Sequence, residues 1–138
     1  MNKIQKITPL IMLMITAVFM TACTDNEKNK LDNRVKDYWD AKINKDFDVA
    51  YEFLTPGWRT TEDKRSYVNR MAGGKIEWVS VKTKSKECTQ VDVCKVKVTL
   101  SYVYRFPGRG GKIETDSDLT ENWLMKDNTW YHLPKKDR

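Results

Sequence analysis

The stretch VCKVKVTLSYVYRF, Val93–Phe106, alternates apolar and polar side chains along most of its length. Val96, Val98, Leu100, Tyr102, Tyr104 and Phe106 fall on one face at a period of two, which no helix presents as a single stripe. A strand of this kind needs paired neighbours and a second layer to cover its apolar face. KIEWVSVKTKSKE (Lys75–Glu87) alternates upstream of it, and PGRGG (Pro107–Gly111) supplies a turn downstream. A third strand is expected over Lys112–Met125. A tight turn at Lys126–Asn128 then leads into a fourth, TWYHL, at Thr129–Leu133.

The covering layer lies in the N-terminal half. LDNRVKDYWDAKINK places Leu31, Val35, Tyr38, Trp39 and Ile43 at helical spacing. Asn44–Asp46 interrupt, and Asp46 is placed to cap a second helix through FDVAYEFL, with Phe47, Ala50, Tyr51 and Leu54 inward. Pro56-Gly57 ends it. A third, shorter helix is expected over Glu62–Met71, capped by Thr61 or Thr60. It buries Tyr67, Val68 and Met71 and stops at Gly73-Gly74. Three helices followed by a four-stranded antiparallel meander give an α+β domain, with the helices on one face of the sheet. The 138 residues suffice for one such core, and five Trp and six Tyr supply apolar area to fill it.

The first residues belong to neither layer. Lys3 and Lys6 precede an apolar run from about Leu10 to Met20, too short as a helix to span a bilayer core of roughly 30 Å. This is the layout of a secretory signal peptide. Its end, Met20-Thr21-Ala22-Cys23, resembles the bacterial lipobox, although Met20 stands where Leu is usual. The resemblance implies cleavage before Cys23 and acylation (palmitate among the chains) of that residue, each buried CH₂ contributing about 0.8 kcal/mol of anchoring. A plain secreted protein cut near Ala22 is the alternative. The expected organisation is a signal peptide at 1–22, a lipidated Cys23 with a polar tether to residue 30, and a folded domain over 31–134. In lipoproteins of this kind Asp after the Cys favours the inner membrane. Thr24 stands there, which implies the outer membrane, facing the periplasm, or the cell surface where no outer membrane exists.

Removing Lys3 and Lys6 from the net charge of +6 leaves +4 for the rest. That charge argues against a nucleic-acid partner, which needs basic groups concentrated on one face. Setting Cys23 aside leaves Cys88 and Cys94 in an oxidising compartment. Their C-x₅-C spacing fits no zinc site, so a disulfide is favoured over two free thiols. Placing the two opposite each other fixes a register. Glu87 then faces Lys95, Glu77 faces Arg105, Trp78 faces Tyr104 and Ile76 faces Phe106. The same register turns Lys82, Lys84 and Lys86 onto the apolar face. Either that end projects beyond the core or a bulge shifts the pairing.

Two segments carry a wider resemblance: RVKDYWDAKINKDFDVAYEFLTPGWR (Arg34–Arg59), and the closing hairpin ENWLMKDNTWYHL (Glu121–Leu133). Together they resemble the nuclear transport factor 2-like, cone-shaped α+β domains, over roughly Leu31–Leu133. The resemblance implies N-terminal helices packed on a curved four-stranded antiparallel sheet. Members of that group include enzymes and binding modules, so it implies no single activity. The ketosteroid-isomerising members use a carboxylate base and a Tyr-centred oxyanion hole. No position here matches that constellation, so no catalytic residue is carried over.

Among the aromatics most are expected to fill the core, and Trp58, outside the helical period after Pro56-Gly57, is the one expected to be exposed for contact. His132 has no nucleophile or metal ligand at a recognisable spacing and reads as structural or surface. In ETDSDLTE (Glu114–Glu121), alternation puts Glu114, Asp116 and Asp118 on a solvated strand face, without the Gly and closing Glu of a calcium loop. Lys82, Lys84, Lys86, Lys95 and Lys97 concentrate near the hairpin tip. They form a solvated edge or a docking patch for an anionic partner or headgroup. No cofactor or metal motif is present in the sequence. The expectation is a lipid-anchored envelope protein whose domain acts by binding or assembly on a membrane surface, with an envelope protein as partner. The alternative is a small-molecule-binding or isomerase-like cone.

Overall fold

The computed structural model describes residues 22–106, 108 and 110–135. Its elements are α1 (Ala22–Ile43), α2 (Phe47–Tyr51), α3 (Pro56–Arg59), α4 (Lys64–Ala72), β1 (Ile76–Gln90), β2 (Val93–Arg105), β3 (Lys112–Lys126) and β4 (Thr129–Leu133). The apolar leader and the Cys23 side chain lie outside the described residues. The folded unit begins at Leu31. Of the preceding unit, the backbone of 22–30 is helical, where the polar composition had pointed to an aperiodic tether. The stretch holds neither Gly nor Pro, so nothing in it breaks a helix.

Leu31, Val35, Tyr38 and Trp39 form the buried stripe of α1 as their spacing requires, but the next member is Lys42, not Ile43, which is only half-buried. Lys42 stands three residues after Trp39 and four after Tyr38, so the helical period carries it inward. Asp46 occupies the N-cap of α2 without a side-chain cap bond. Pro56 does not simply end the helical segment. It takes the first position of α3, with Thr55 Oγ1 accepting the Trp58 N–H at 3.3 Å. The last helix starts later than expected because its cap is Asp63, which accepts the Ser66 N–H at 3.1 Å, and not Thr60 or Thr61.

The sheet is an antiparallel meander in the order β1-β2-β3-β4. Cys88 and Cys94 are directly opposite and joined by a disulfide, and Glu87 faces Lys95. Two irregularities, between Thr83 and Ser85 and between Trp78 and Ser80, then slide β1 along β2. Trp78 consequently faces Tyr102, Glu77 faces Val103 and Ile76 faces Tyr104, in place of the pairs the uninterrupted register gives. Arg105 still reaches Glu77 diagonally, Nη2 to Oε2, at 2.9 Å.

The first of these bulges resolves the lysine conflict. Beyond it Thr83 faces Val98 and Val81 faces Leu100, so Val81 and Thr83 take the apolar face and Lys82 opposes Thr99 on the outer one. Lys84, the extra residue, reaches Asp118 beside Thr99. Lys86, before the bulge, keeps the inner face and pairs with Asp32 of α1. The β3–β4 turn uses Asp127 and Asn128, both at positive φ, the two-residue type favoured between twisted strands. The edge of β4 is closed by Phe53–Thr55. Phe53 O accepts the His132 N–H at 2.7 Å, and Thr55 N–H donates to His132 O at 3.0 Å.

Val96 and Val98 are sealed under the helices, Tyr102 and Tyr104 are half-buried, and Phe106 is exposed. One face of one strand therefore runs from core to solvent as the helix layer ends.

Candidate functional site

Between the helices and β3–β4 lies a cavity of about 660 Å³, within the size range of small-molecule sites. Tyr38 and Lys42 of α1, Tyr67 and Arg70 of α4, Glu121 of β3 and His132 of β4 all line it. Leu54, Trp58, Met71 and Leu119 give it apolar wall, with polar residues such as Thr61 and Asn122 between them. The ionisable groups at its floor need a separate account, because burying such groups costs free energy unless each is compensated.

Glu121 is only 2% exposed. It faces inward because it lies two residues before Trp123, whose ring is sealed in the core. Trp39 Nε1 donates to its Oε1 at 3.1 Å and Trp123 Nε1 to its Oε2 at 3.2 Å. Burial pushes its pKa up, while the two indoles and the charge of Lys42 pull it back. His132 Nε2 sits 3.7 Å from Glu121 Oε1, and its ring lies 4.9 Å from that of Tyr38 and 5.5 Å from that of Trp123. Burial, with Lys42 adding to it, pushes the imidazole down to about 3, so it is neutral at physiological pH. Its Nδ1 has no hydrogen-bond partner among the described residues.

Lys42 completes the cluster. Its ammonium lies 4.0 Å from the ring centre of Trp39, 4.4 Å from that of Trp78 and 5.1 Å from that of Tyr38. Burial lowers its pKa to about 8. Glu121 opposes the shift and Arg70 adds to it. Arg70 is itself held by Glu62 through two bonds, Nε to Oε1 at 2.8 Å and Nη2 to Oε2 at 2.7 Å. Burial also keeps the Tyr38 and Tyr67 hydroxyls protonated.

Trp58 departs from its expected exposure. Pro56 starts a new helical turn that folds the indole back, so it is half-buried against the core and lines the cavity. It also lines an open groove of about 710 Å³ with Pro56, Leu124, Tyr131 and Leu133. The five hairpin lysines are not gathered into one free patch. Lys84 and Lys97 share Asp118, at 2.8 and 3.4 Å, and Lys86 is committed to Asp32. These contacts, the Lys84 bond first, hold Asp118 down at about 2. Among the described residues no group of His, Cys, Asp and Glu is arranged to hold a metal ion. No described helix is long and apolar enough to cross a membrane.

Lys42 is not singled out in the sequence, and Glu121 enters there only as part of an acidic stretch, yet each carries a periodic signal. Lys42 continues the α1 stripe, and Glu121 shares the inward parity of Trp123 and Met125. Their charge argued for solvent more strongly than their spacing argued for the core.

Comparison with solved structures agrees with this architecture. An NTF2-like (nuclear transport factor 2-like) family member of Streptomyces avermitilis, a dehydratase candidate, superposes with a TM-score of 0.54 at 13% identity, covering 79% of this chain and 93% of that one. A nuclear transport factor 2-like transpeptidase candidate of Campylobacter jejuni gives 0.50 at 12% identity, covering 75% and 97%. A SEC-C motif containing protein of Rhodopseudomonas palustris gives 0.51 at 17%, covering 70% and 69%. No family model and no curated protein matches the chain. The fold is therefore nuclear transport factor 2-like: an open four-stranded antiparallel sheet with helices packed against it.

Proposed function

We propose that this is a lipid-anchored envelope protein whose cone-shaped domain binds a small molecule without transforming it. The observation that carries the binding half is the cavity of about 660 Å³ with Lys42, Glu121 and His132 at its floor. Burying Lys42 without an ion pair costs free energy that an apolar side chain there would not.

Binding is favoured over proton transfer by His132 for one reason. A general base works best with a pKa near the operating pH, and His132 at about 3 is far below it. The anchoring half rests on the sequence, on the basic start, the short apolar run and Cys23.

A second role, docking of an envelope protein, is favoured by one feature: the groove lined by Pro56, Trp58, Leu124, Tyr131 and Leu133. In-cell crosslinking through Trp58-adjacent positions would then capture one specific envelope protein.

Native mass spectrometry of the protein isolated from its own cells tests binding. A discrete small-molecule adduct in wild type, lost in Met71→Trp, is expected, because Met71 lines the cavity. Labelling with a fatty acid tests the anchor. Label on wild type and none on Cys23→Ser is expected, and equal label on both would refute it.

A further inference from the structure

Lys42 is buried in the cone without an ion pair among the described residues. Only 8% of its surface is exposed, so its ammonium has given up most of its water. In return it has three aromatic faces, which restore part of that loss but not all of it. No salt bridge compensates it among the described residues.

Among the described residues no neighbouring element brings an acidic group into a direct ion pair with Lys42. From β3, Glu121 favours the Lys42 charge without forming an ion pair with it, while its oxygens bond Trp39 and Trp123. From α4, Arg70 is neutralised by Glu62, and its proximity disfavours the charge on Lys42. From β4, His132 is neutral, and β1 offers only the ring of Trp78. The phenols of Tyr38 and Tyr67 are protonated. Lys42 also lines a second cavity of about 640 Å³ with Phe47, Met71, Ile76 and Trp78, so it borders cavities on two sides.

We propose that the cone takes a small organic acid as its anion, with the acid group paired to the Lys42 ammonium and the apolar body against the aromatic walls. This rests on the ligand-binding reading and adds to it the charge and class of the ligand. Such a ligand supplies the direct ionic contact that Glu121 does not make, in a low-dielectric site where a charge-assisted contact is strongest.

The test is to titrate the full chain with anilinonaphthalene sulfonate and with its uncharged parent, phenylnaphthylamine. Wild type should bind the sulfonate about tenfold more tightly than the parent, as expected of one charge-assisted contact. Lys42→Met should erase that preference while keeping affinity for the parent, and Lys42→Arg should retain it. In wild type the preference should fade as pH rises through about 8, where Lys42 loses its charge. Equal affinity for the two probes in wild type, or a preference that survives Lys42→Met, overturns the inference and leaves the binding reading standing. Failure of both probes to bind removes both. Should Lys42→Met fail to fold, a wild-type preference that stays flat across that pH range overturns it without any variant.

Discussion

The indole N–H of Trp39, on α1, donates to Oε1 of Glu121, on β3, at 3.1 Å, while Trp123 holds the other oxygen. This contact ties the helix layer to the sheet through a buried carboxylate. Glu121→Gln preserves the shape but turns one acceptor into an amide donor facing an indole donor. The expected cost is about 1–3 kcal/mol, the usual price of an unmet buried polar group. Urea midpoints measure it, and an unchanged midpoint would show that the paired indole contacts contribute little.

His132 sets an acid limit on the fold. Its folded pKa of about 3 lies below the ordinary value of 6.5, so the unfolded chain takes up the proton first. Stability associated with His132 is full above about 6.5 and falls as pH drops toward about 3. Glu121, with its pKa raised, acts in the opposite sense, so the contribution must be read as a difference. The stability gap between wild type and His132→Leu should shift in favour of the variant across that window. A gap constant with pH would show that the imidazole titrates normally in the fold.

Much of the layering is legible in the sequence because it rests on period. Leu31, Val35, Tyr38 and Trp39, and likewise Val96, Val98 and Leu100, are inward where spacing puts them. Offsets are less legible. The bulge between Thr83 and Ser85 inserts one residue and changes every partner beyond it, and no residue type there announces it. Pro56 is ambiguous in the same way, since a proline that stops one helix can begin another. The site was the least legible part. Period pointed inward at Lys42 and Glu121 while charge pointed outward, and only the positions of Trp39, Trp78 and Trp123 in space decide between them.

The Cys88–Cys94 link should act as a local staple. It closes a short loop that the hairpin already holds by backbone pairing, so its contribution is expected at about 2 kcal/mol or less. Cys88→Ser with Cys94→Ala should lower the urea midpoint modestly and keep the far-ultraviolet spectrum. Loss of the sheet signal would mean that the hairpin depends on the covalent link.

Asp118 is exposed and bonded to Lys84, Thr99 and Lys97. Asp118→Asn should leave the denaturation midpoint nearly unchanged, since exposed pairs contribute little. It should strengthen cosedimentation with anionic vesicles at low salt by freeing two lysines. Equal cosedimentation of variant and wild type would take these lysines out of any headgroup contact.

The claim that the cone is a ligand site is tested most directly by titrating wild type and Met71→Trp with phenylnaphthylamine, following its fluorescence. Met71 lines both cavities that reach Lys42, so a larger side chain there occupies the space a ligand needs. Saturable binding to wild type, weakened about tenfold or more in the variant, is the predicted result. Binding that does not saturate, or that Met71→Trp leaves unchanged, would contradict it.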